Sequence, residues 1–299
     1  MRVKNKQRRY RIDSGTALKL GLTINKTNRY RLSPEQEKDL FNLDQHDIKR
    51  LFFDIETTPY ITYTFNVGYK VKNIPYEFII EHQKIICISY VFGEDDKIKR
   101  LTWDENQCDK KMIEEFISIM NQADEIVAHN GDRYDMKKLK TRAIYHRLPM
   151  MPKYRTLDTL LKSRKDFSFP SNRLDDIANF LKVGAKVKHE GFSMWKKCME
   201  NNKKAIKEMG TYCDGDIVVL RDVYMTIKNY IKHNTHVGAH NGGLKCSCPS
   251  CGSENIALFK NNFTASGTIK RQMECQDCNY SYETSNSAYR TFLEMNNNL

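Results

Sequence analysis

"LFFDIETTPY", residues 51–60, is an apolar run that ends in two carboxylates, Asp54 and Glu56. Side chains two apart on a strand share a face. Asp54 and Glu56 therefore project together, and Ile55 points the other way. Two like charges held that close are costly unless a cation lies between them. Oxygen ligands at such a place suit Mg²⁺ or Mn²⁺. A strand running out into solvent can end in the same way, so the pair gains meaning only from residues elsewhere in the chain.

Outward from this stretch the chain alternates strand and helix. "RLFFDIE" predicts one strand, "KIICISYVF" (Lys84–Phe92) a buried second, and "DKIKRLTW" its partner across the turn signal "GEDD". "KKMIEEFISIM" is amphipathic, with Met112, Ile113, Phe116, Ile117 and Met120 on one side. "EIVAHN" predicts a short buried strand before a helix over "DRYDMKKLKTRAIYHRL". "YRTLDTLL" predicts a strand end running into another helix, and the chain to about Lys232 is mostly helical. A meander of three strands followed by strand–helix alternation predicts an α/β domain, a mixed five-stranded sheet flanked by helices.

The expected boundaries are a basic extension over 1–49, the main domain over 50–232, a polar linker over 233–245 and a cysteine-rich module over 246–299. Residues 1–31 carry ten Lys or Arg against one acid, Asp13. They read either as a flexible basic arm or as a helix-turn-helix around Gly21. In "SPEQEKDLF", Ser33 as N-cap and Gln36 three positions on form a capping box.

The chain has 299 residues, a net charge of +12 and a pI near 9.1, a balance that favours an anionic partner, nucleic acid first. No run reaches the roughly 18–20 apolar residues of a membrane helix. No apolar stretch follows the basic start, so a secretory signal is not expected. Nine cysteines, five of them crowded into Cys246–Cys278, read as a reducing, cytoplasmic setting with one metal cluster.

Two further stretches carry acids in a matching order. In "VAHNGDRYD" the strand ends at Asn130, and Asp135 falls in the first turn of the next helix. In "GTYCDGDIVVL", Tyr212 and Asp216 lie four apart on a helix and share a face. "FFDIETTP", "AHNGDRYD" and "YCDGD" together resemble the three motifs of the DEDD 3′–5′ exonucleases on an RNase H-like fold, in the tyrosine-type branch. The resemblance runs from about Arg50 to Lys232. The stretch from "LDTLLKSRKDF" to "GFSMW" is similar to exonuclease-like proteins of bacteriophages, which often carry a C-terminal zinc ribbon.

The resemblance implies four metal ligands, Asp54, Glu56, Asp135 and Asp216, holding two Mg²⁺ or Mn²⁺ ions, with Tyr212 positioning or deprotonating the attacking water. It implies substrate contacts at Thr57 and Asn130. It implies hydrolysis of single-stranded DNA from the 3′ end, with RNA as the nearest rival substrate and a replication or repair protein as a possible partner. Structure-specific endonuclease action and a nucleic-acid scaffold without turnover are the alternatives. Tyr134 stands where the second motif usually has Phe, and is expected only to pack. Asp214, about 200° round the helix from Asp216, is expected to face away from the site. Asp158 reads as a helix N-cap and His129 as structural. Lys186, Lys188, Lys196 and Lys197 with Phe192 or Trp195 read equally as a strand-binding groove or as core plugs under solvated lysines.

"CPSC" and "CQDC" place Cys248, Cys251, Cys275 and Cys278 in two knuckles separated by 23 residues, the spacing of a zinc ribbon with one structural Zn²⁺. Cys246 is a spare, the alternative to Cys248 in the first knuckle. The ribbon's Lys260, Lys270 and Arg271, with Phe259, Phe263, Tyr280 and Tyr282, read as a grip for nucleic acid or a partner protein.

Overall fold

A computed structural model of the chain describes residues 10–11, 17–18, 21–23, 29–33, 36, 48–65, 68, 73–93, 97–184 and 190–296. The chain forms two compact units, one spanning Ile48–Thr235 and the other combining Met1–Asp47 with His236–Leu299. In the second unit, β1 (Tyr10–Arg11) pairs antiparallel with β2 (Arg29–Tyr30). Most of the expected arm or helix-turn-helix lies outside the described residues. The expected capping box is present: Ser33 N–H donates to Gln36 Oε1 and Gln36 N–H to Ser33 Oγ, each at 3.1 Å.

The first unit contains β3 (Arg50–Thr57), β4 (Ile61–Thr62), β5 (Ile79–Glu81), β6 (Ile85–Phe92), β7 (Lys99–Thr102), α1 (Lys110–Met120), β8 (Glu125–Ala128), α2 (Asp135–Tyr145), β9 (Thr156–Asp158), α3 (Thr159–Asp166), α4 (Leu174–Leu181), α5 (Phe192–Met199) and α6 (Lys203–Ile227). Five strands form one mixed sheet in the order β7-β6-β3-β8-β9. β3 is central, antiparallel to β6 and parallel to β8.

Alternation along β3 divides its side chains between two cores. Leu51, Phe53 and Ile55 pack with Ile113, Phe116 and Met120 of α1 and Met136 and Leu139 of α2. Phe52 faces the other side, where Tyr224 of α6 meets it edge-on with ring centroids 5.4 Å apart. Burying each such side chain contributes roughly 1.5–3 kcal/mol. The same parity sends Asp54 and Glu56 to the α6 side.

α6 begins at Asn202, whose side chain accepts the N–H groups of Lys204 and Ala205 at 3.0 and 3.1 Å. Its buried stripe of Ala205, Met209, Cys213, Ile217, Leu220 and Tyr224 recurs every three or four residues, which lays the whole helix on the sheet. Arg142 of α2 ties a buried corner together. Its Nε and Nη2 donate to Asp109 at 2.8 and 2.7 Å. Asp109 also accepts the Ile85 N–H at 3.0 Å and lies 2.6 Å from His146 Nε2.

The second unit contains α7 (Val237–His240), β10 (Ile256–Phe263), β11 (Ile269–Cys275), β12 (Ser281–Ser285) and α8 (Asn286–Asn296), with an antiparallel sheet in the order β10-β11-β12. The segment expected as a linker is partly helical. Val237 N–H bonds to Pro249 O at 3.0 Å, and Gly238 approaches Ser247 so closely that a Cβ would lie 2.0 Å from its Oγ. The polar, Gly-containing composition that marks a linker also suits this tight packing.

Candidate active site

Asp54 and Glu56 leave β3 at its C-terminal end, where the β3–β6 register shifts between Glu56 and Thr57. Ile86 is the extra residue of this bulge, and both Ile86 and Cys87 turn toward α6. Bulges often sit beside active sites, where they re-aim side chains. Across from β3, α6 presents Asp216, almost fully buried. Oxygens of Asp54, Glu56 and Asp216 all lie within 4.8 Å of one another, a separation that one cation between them can bridge. Such hard oxygen donors suit Mg²⁺ or Mn²⁺. Tyr212 is one turn before Asp216, half-buried against Trp195 of α5 with ring centroids 6.3 Å apart. Trp195 thus plugs a core, whereas Phe192 is exposed with Lys196 Nζ 5.7 Å from its ring centre. Lys186 and Lys188 lie outside the described residues.

Asp135 comes from the opposite helix layer, as the first residue of α2. It lies outside the group of three, and its carboxyl is hydrogen-bonded to the Ile55 backbone. Burial pushes this carboxyl up to about 7, with the nearby Asp158 charge adding to the rise and the backbone hydrogen bonds opposing it. A cation brought close to it favours the ionised form.

Asp158 fixes the loop that delivers Asp135. It caps α3 as expected, accepting from Leu160 N–H at 2.9 Å and Leu161 N–H at 3.3 Å. The same carboxylate accepts from Asn130 N–H at 3.0 Å and Asp132 N–H at 3.2 Å, a role the sequence does not announce. Asn130 is left-handed, with φ of 65°. Its carbonyl accepts the Arg133 and Tyr134 N–H groups, starting the turn into α2. Gly131 sits so close to β8 that a Cβ there would be 2.4 Å from that of Ala128. His129 is structural in its bonding, with Nδ1 2.9 Å from Thr159 Oγ1 and Nε2 3.0 Å from Asn172 O.

Three contacts go beyond the sequence-based expectation. Tyr134 does more than pack: its hydroxyl lies 2.7 Å from Thr57 Oγ1, and Lys138 Nζ is 5.7 Å from its ring centre. A phenol, unlike a phenyl ring, can make that bond. Cys213 donates its thiol to Asp54 O and Oδ2 at 3.5 and 3.6 Å. Burial raises the Cys213 pKa well above that of an ordinary thiol, so the sulfur keeps its proton. Asp214 stands outside the group of three acids but, against expectation, reaches Ser89, the cross-strand partner of Asp54. It accepts from Ser89 Oγ at 2.6 Å and pairs with Arg100, whose side chain crosses α6 at Gly210.

In the second unit, Cys248, Cys251, Cys275 and Cys278 bring their sulfurs within 4.8 Å of one another. Cys248–Cys278 and Cys251–Cys275 each stand 3.6 Å apart. Four thiolates about 2.3 Å from one tetrahedral Zn²⁺ stand about 3.8 Å apart, so the set fits that ion. Cys246 is outside it, fully buried, with its carbonyl accepting the Tyr282 hydroxyl at 2.5 Å. The surrounding core is small, chiefly Met273, Tyr280 and Tyr282 beside the cysteines.

No curated protein matches the chain. Among solved structures, the family B DNA polymerase from the hyperthermophilic archaeon Pyrobaculum calidifontis is similar, with a TM-score of 0.47 and 15% identity over 62% of this chain. The chain spans only 25% of that polymerase's length. A family model of the RNase H superfamily matches residues 77–228, from the hairpin before β6 to the end of α6. That match holds Asp135, Tyr212 and Asp216 and begins after the strand of Asp54 and Glu56. By that match, over about half of its length, the chain belongs to the RNase H superfamily.

Proposed function

We propose that this chain is a metal-dependent 3′–5′ exonuclease of the DEDD, tyrosine type, acting preferably on single-stranded DNA. The observation that carries this reading is the convergence of Asp54, Glu56 and Asp216 from β3 and α6, with Tyr212 one turn before Asp216. Asp135, on a loop clamped by Asp158, is the fourth ligand. Divalent ions held by these acids would supply a polarised water and neutralise charge on the scissile phosphate. The chain's own residues hold those ions and orient the reactants. Tyr212 orients the water by hydrogen bonding, since the reference phenol pKa of about 10 makes a tyrosine a poor base at neutral pH. Thr57, next to Glu56, and Asn130, on the loop before Asp135, contact the terminal nucleotide. The four knuckle cysteines hold one structural Zn²⁺, and the ribbon's exposed Phe259 and Phe263 with Lys260 serve as grip.

End-labelled single-stranded DNA, duplex DNA and RNA, each with Mg²⁺, Mn²⁺ or EDTA, test the proposal. Stepwise metal-dependent release of mononucleotides from a free 3′ end is the expected result. Cleavage of circular DNA instead makes the chain an endonuclease, preference for RNA makes it an exoribonuclease, and metal-independent binding without turnover leaves a scaffold.

A further inference from the structure

The β3–β6 ladder does not stop at the carboxylates. Thr58 N–H bonds to Lys84 O at 2.9 Å, Ile61 and Thr62 of β4 pair with Glu81 and Ile79 of β5, and Tyr63 N–H bonds to Phe78 O at 2.9 Å. The two strands that carry and support Asp54 and Glu56 are thus prolonged beyond the sheet as a hairpin.

That hairpin is coated with aromatic rings that bury little of themselves. Tyr60 is 49% exposed, Tyr76 75% and Phe65 92%. The His82 ring links two of them, with centroids 6.2 Å from Tyr60 and 5.7 Å from Tyr76. Lys138 of α2 closes the gap toward the acids: its Nζ lies 5.6 Å from the Tyr60 ring centre and 5.7 Å from that of Tyr134. Tyr134 in turn bonds to Thr57, the neighbour of Glu56. A path therefore runs from Glu56 through Thr57, Tyr134 and Lys138 to Tyr60, His82 and Tyr76. Glu81, the one acid of β5, is ion-paired with Lys84. A hairpin this short has no need of so many rings for its own stability, and exposed rings beside a cation are what a stacking platform for unpaired bases requires.

We infer that the β4–β5 hairpin is a stacking platform for a single-stranded nucleic acid, with the bases on Tyr60, His82 and Tyr76 and Lys138 beside the backbone. The inference deepens the nuclease proposal and takes from it the end of the strand that enters the carboxylate site. A duplex, whose bases are already stacked on one another, gains nothing from these rings.

The test reads binding in EDTA, where turnover plays no part. Fluorescence anisotropy is measured on a labelled 12-nucleotide single strand, a blunt duplex and a strand of abasic residues. Tyr76→Ala and His82→Ala are each expected to weaken the single strand by roughly tenfold, and Tyr76→Phe to stay within about twofold because the ring persists. The abasic strand is expected to bind the parent chain weakly and to ignore Tyr76→Ala. Unchanged affinity in both alanine variants, loss in Tyr76→Phe equal to that in Tyr76→Ala, or equal binding of abasic and base-bearing strands each overturns the platform. Thermal unfolding of each variant checks that the fold persists. Hydrolysis of the p-nitrophenyl ester of thymidine 5′-phosphate by the parent chain with Mn²⁺ reports the carboxylate site alone. Failure there removes the nuclease proposal, while the binding result still decides the platform.

Discussion

The carboxylate cluster and the cysteine cluster both gather metal-binding residues, but they are built in opposite ways. Asp54, Glu56 and Asp216 come from a central strand and a helix 160 residues later in the chain, and large cores hold both elements. Removing an ion from that place leaves the cores intact. The cysteines come in two local pairs over a core of a few residues. There a bound ion would replace a core too small to fold alone. An open site on a prefabricated frame suits chemistry, and a closed site that is itself the frame suits structure.

The largest expected effect separates the two. Cys275→Ser, or a strong chelator at high temperature, should unfold the second unit, because structural zinc supplies about 10–16 kcal/mol in small modules. Metal analysis with far-UV circular dichroism reads this: one zinc per parent chain, none in the variant, and an unchanged melting transition for the Ile48–Thr235 unit. A parent chain purified without zinc breaks the comparison. EDTA at room temperature should stop cleavage without unfolding either unit, and added Mn²⁺ should restore it.

Next come the carboxylates. Asp54→Ala and Asp216→Ala should each lower kcat by at least about 1,000-fold with the melting temperature of the unit retained. Full Mg²⁺-dependent activity in either variant removes the assignment. Asp158→Ala should act on both quantities, losing about 1–2 kcal/mol with its cap and about 10–100-fold in kcat with the loop that places Asp135. Urea unfolding and single-turnover cleavage separate the two losses.

A pH effect distinguishes the frame of the first unit. Burial pulls the Asp109 pKa up, but the hydrogen bonds from Arg142, Ile85 N–H and His146 outweigh it and leave it below the usual value. A depressed carboxylate stabilises the fold fully above its unfolded pKa, about 3.9, and that stability is lost as pH falls through the folded value. Asp109→Asn should therefore flatten the acid limb of a urea-midpoint profile below about pH 4. The smallest effect belongs to Cys246→Ser, which should leave the zinc content at one per chain, because Cys246 stands outside the group of four.

Much of the frame was legible from sequence because it depends on period and order. Alternation in "LFFDIE" assigns Phe52 and Asp54 to one face and Phe53 to the other; apolar runs mark β3, β6 and β8, the turn signal "GEDD" marks β7 as the partner of β6, and β9 shows as a strand end before a helix. The knuckle spacing marks the four cysteines, and a four-residue step puts Tyr212 above Asp216. What escaped reading depends on three-dimensional neighbours. Asp158 shows as a cap because its partners are two and three residues away, but its bonds to Asn130 and Asp132 join β9 to the loop after β8. Cys213 looks like any helical cysteine until β3 lies beneath it. The hairpin leaves little trace in the sequence because its strands, Ile61–Thr62 and Ile79–Glu81, are two and three residues long and are separated by the 63–78 segment. The bulge at Ile86 leaves no mark in a run of uniformly apolar residues.

With the proposed platform and exonuclease site, the prolonged ladder would also act as a ruler. From Thr57 to Tyr63 it advances about 20 Å at roughly 3.3 Å per residue, a length that about six nucleotides cover at a stacked rise of roughly 3.4 Å. A strand shorter than that would keep its end among the carboxylates but no longer reach Tyr63. Digestion should then slow as the product shortens, and the residue of a complete reaction should be a short oligonucleotide whose length the protein, rather than the substrate, sets.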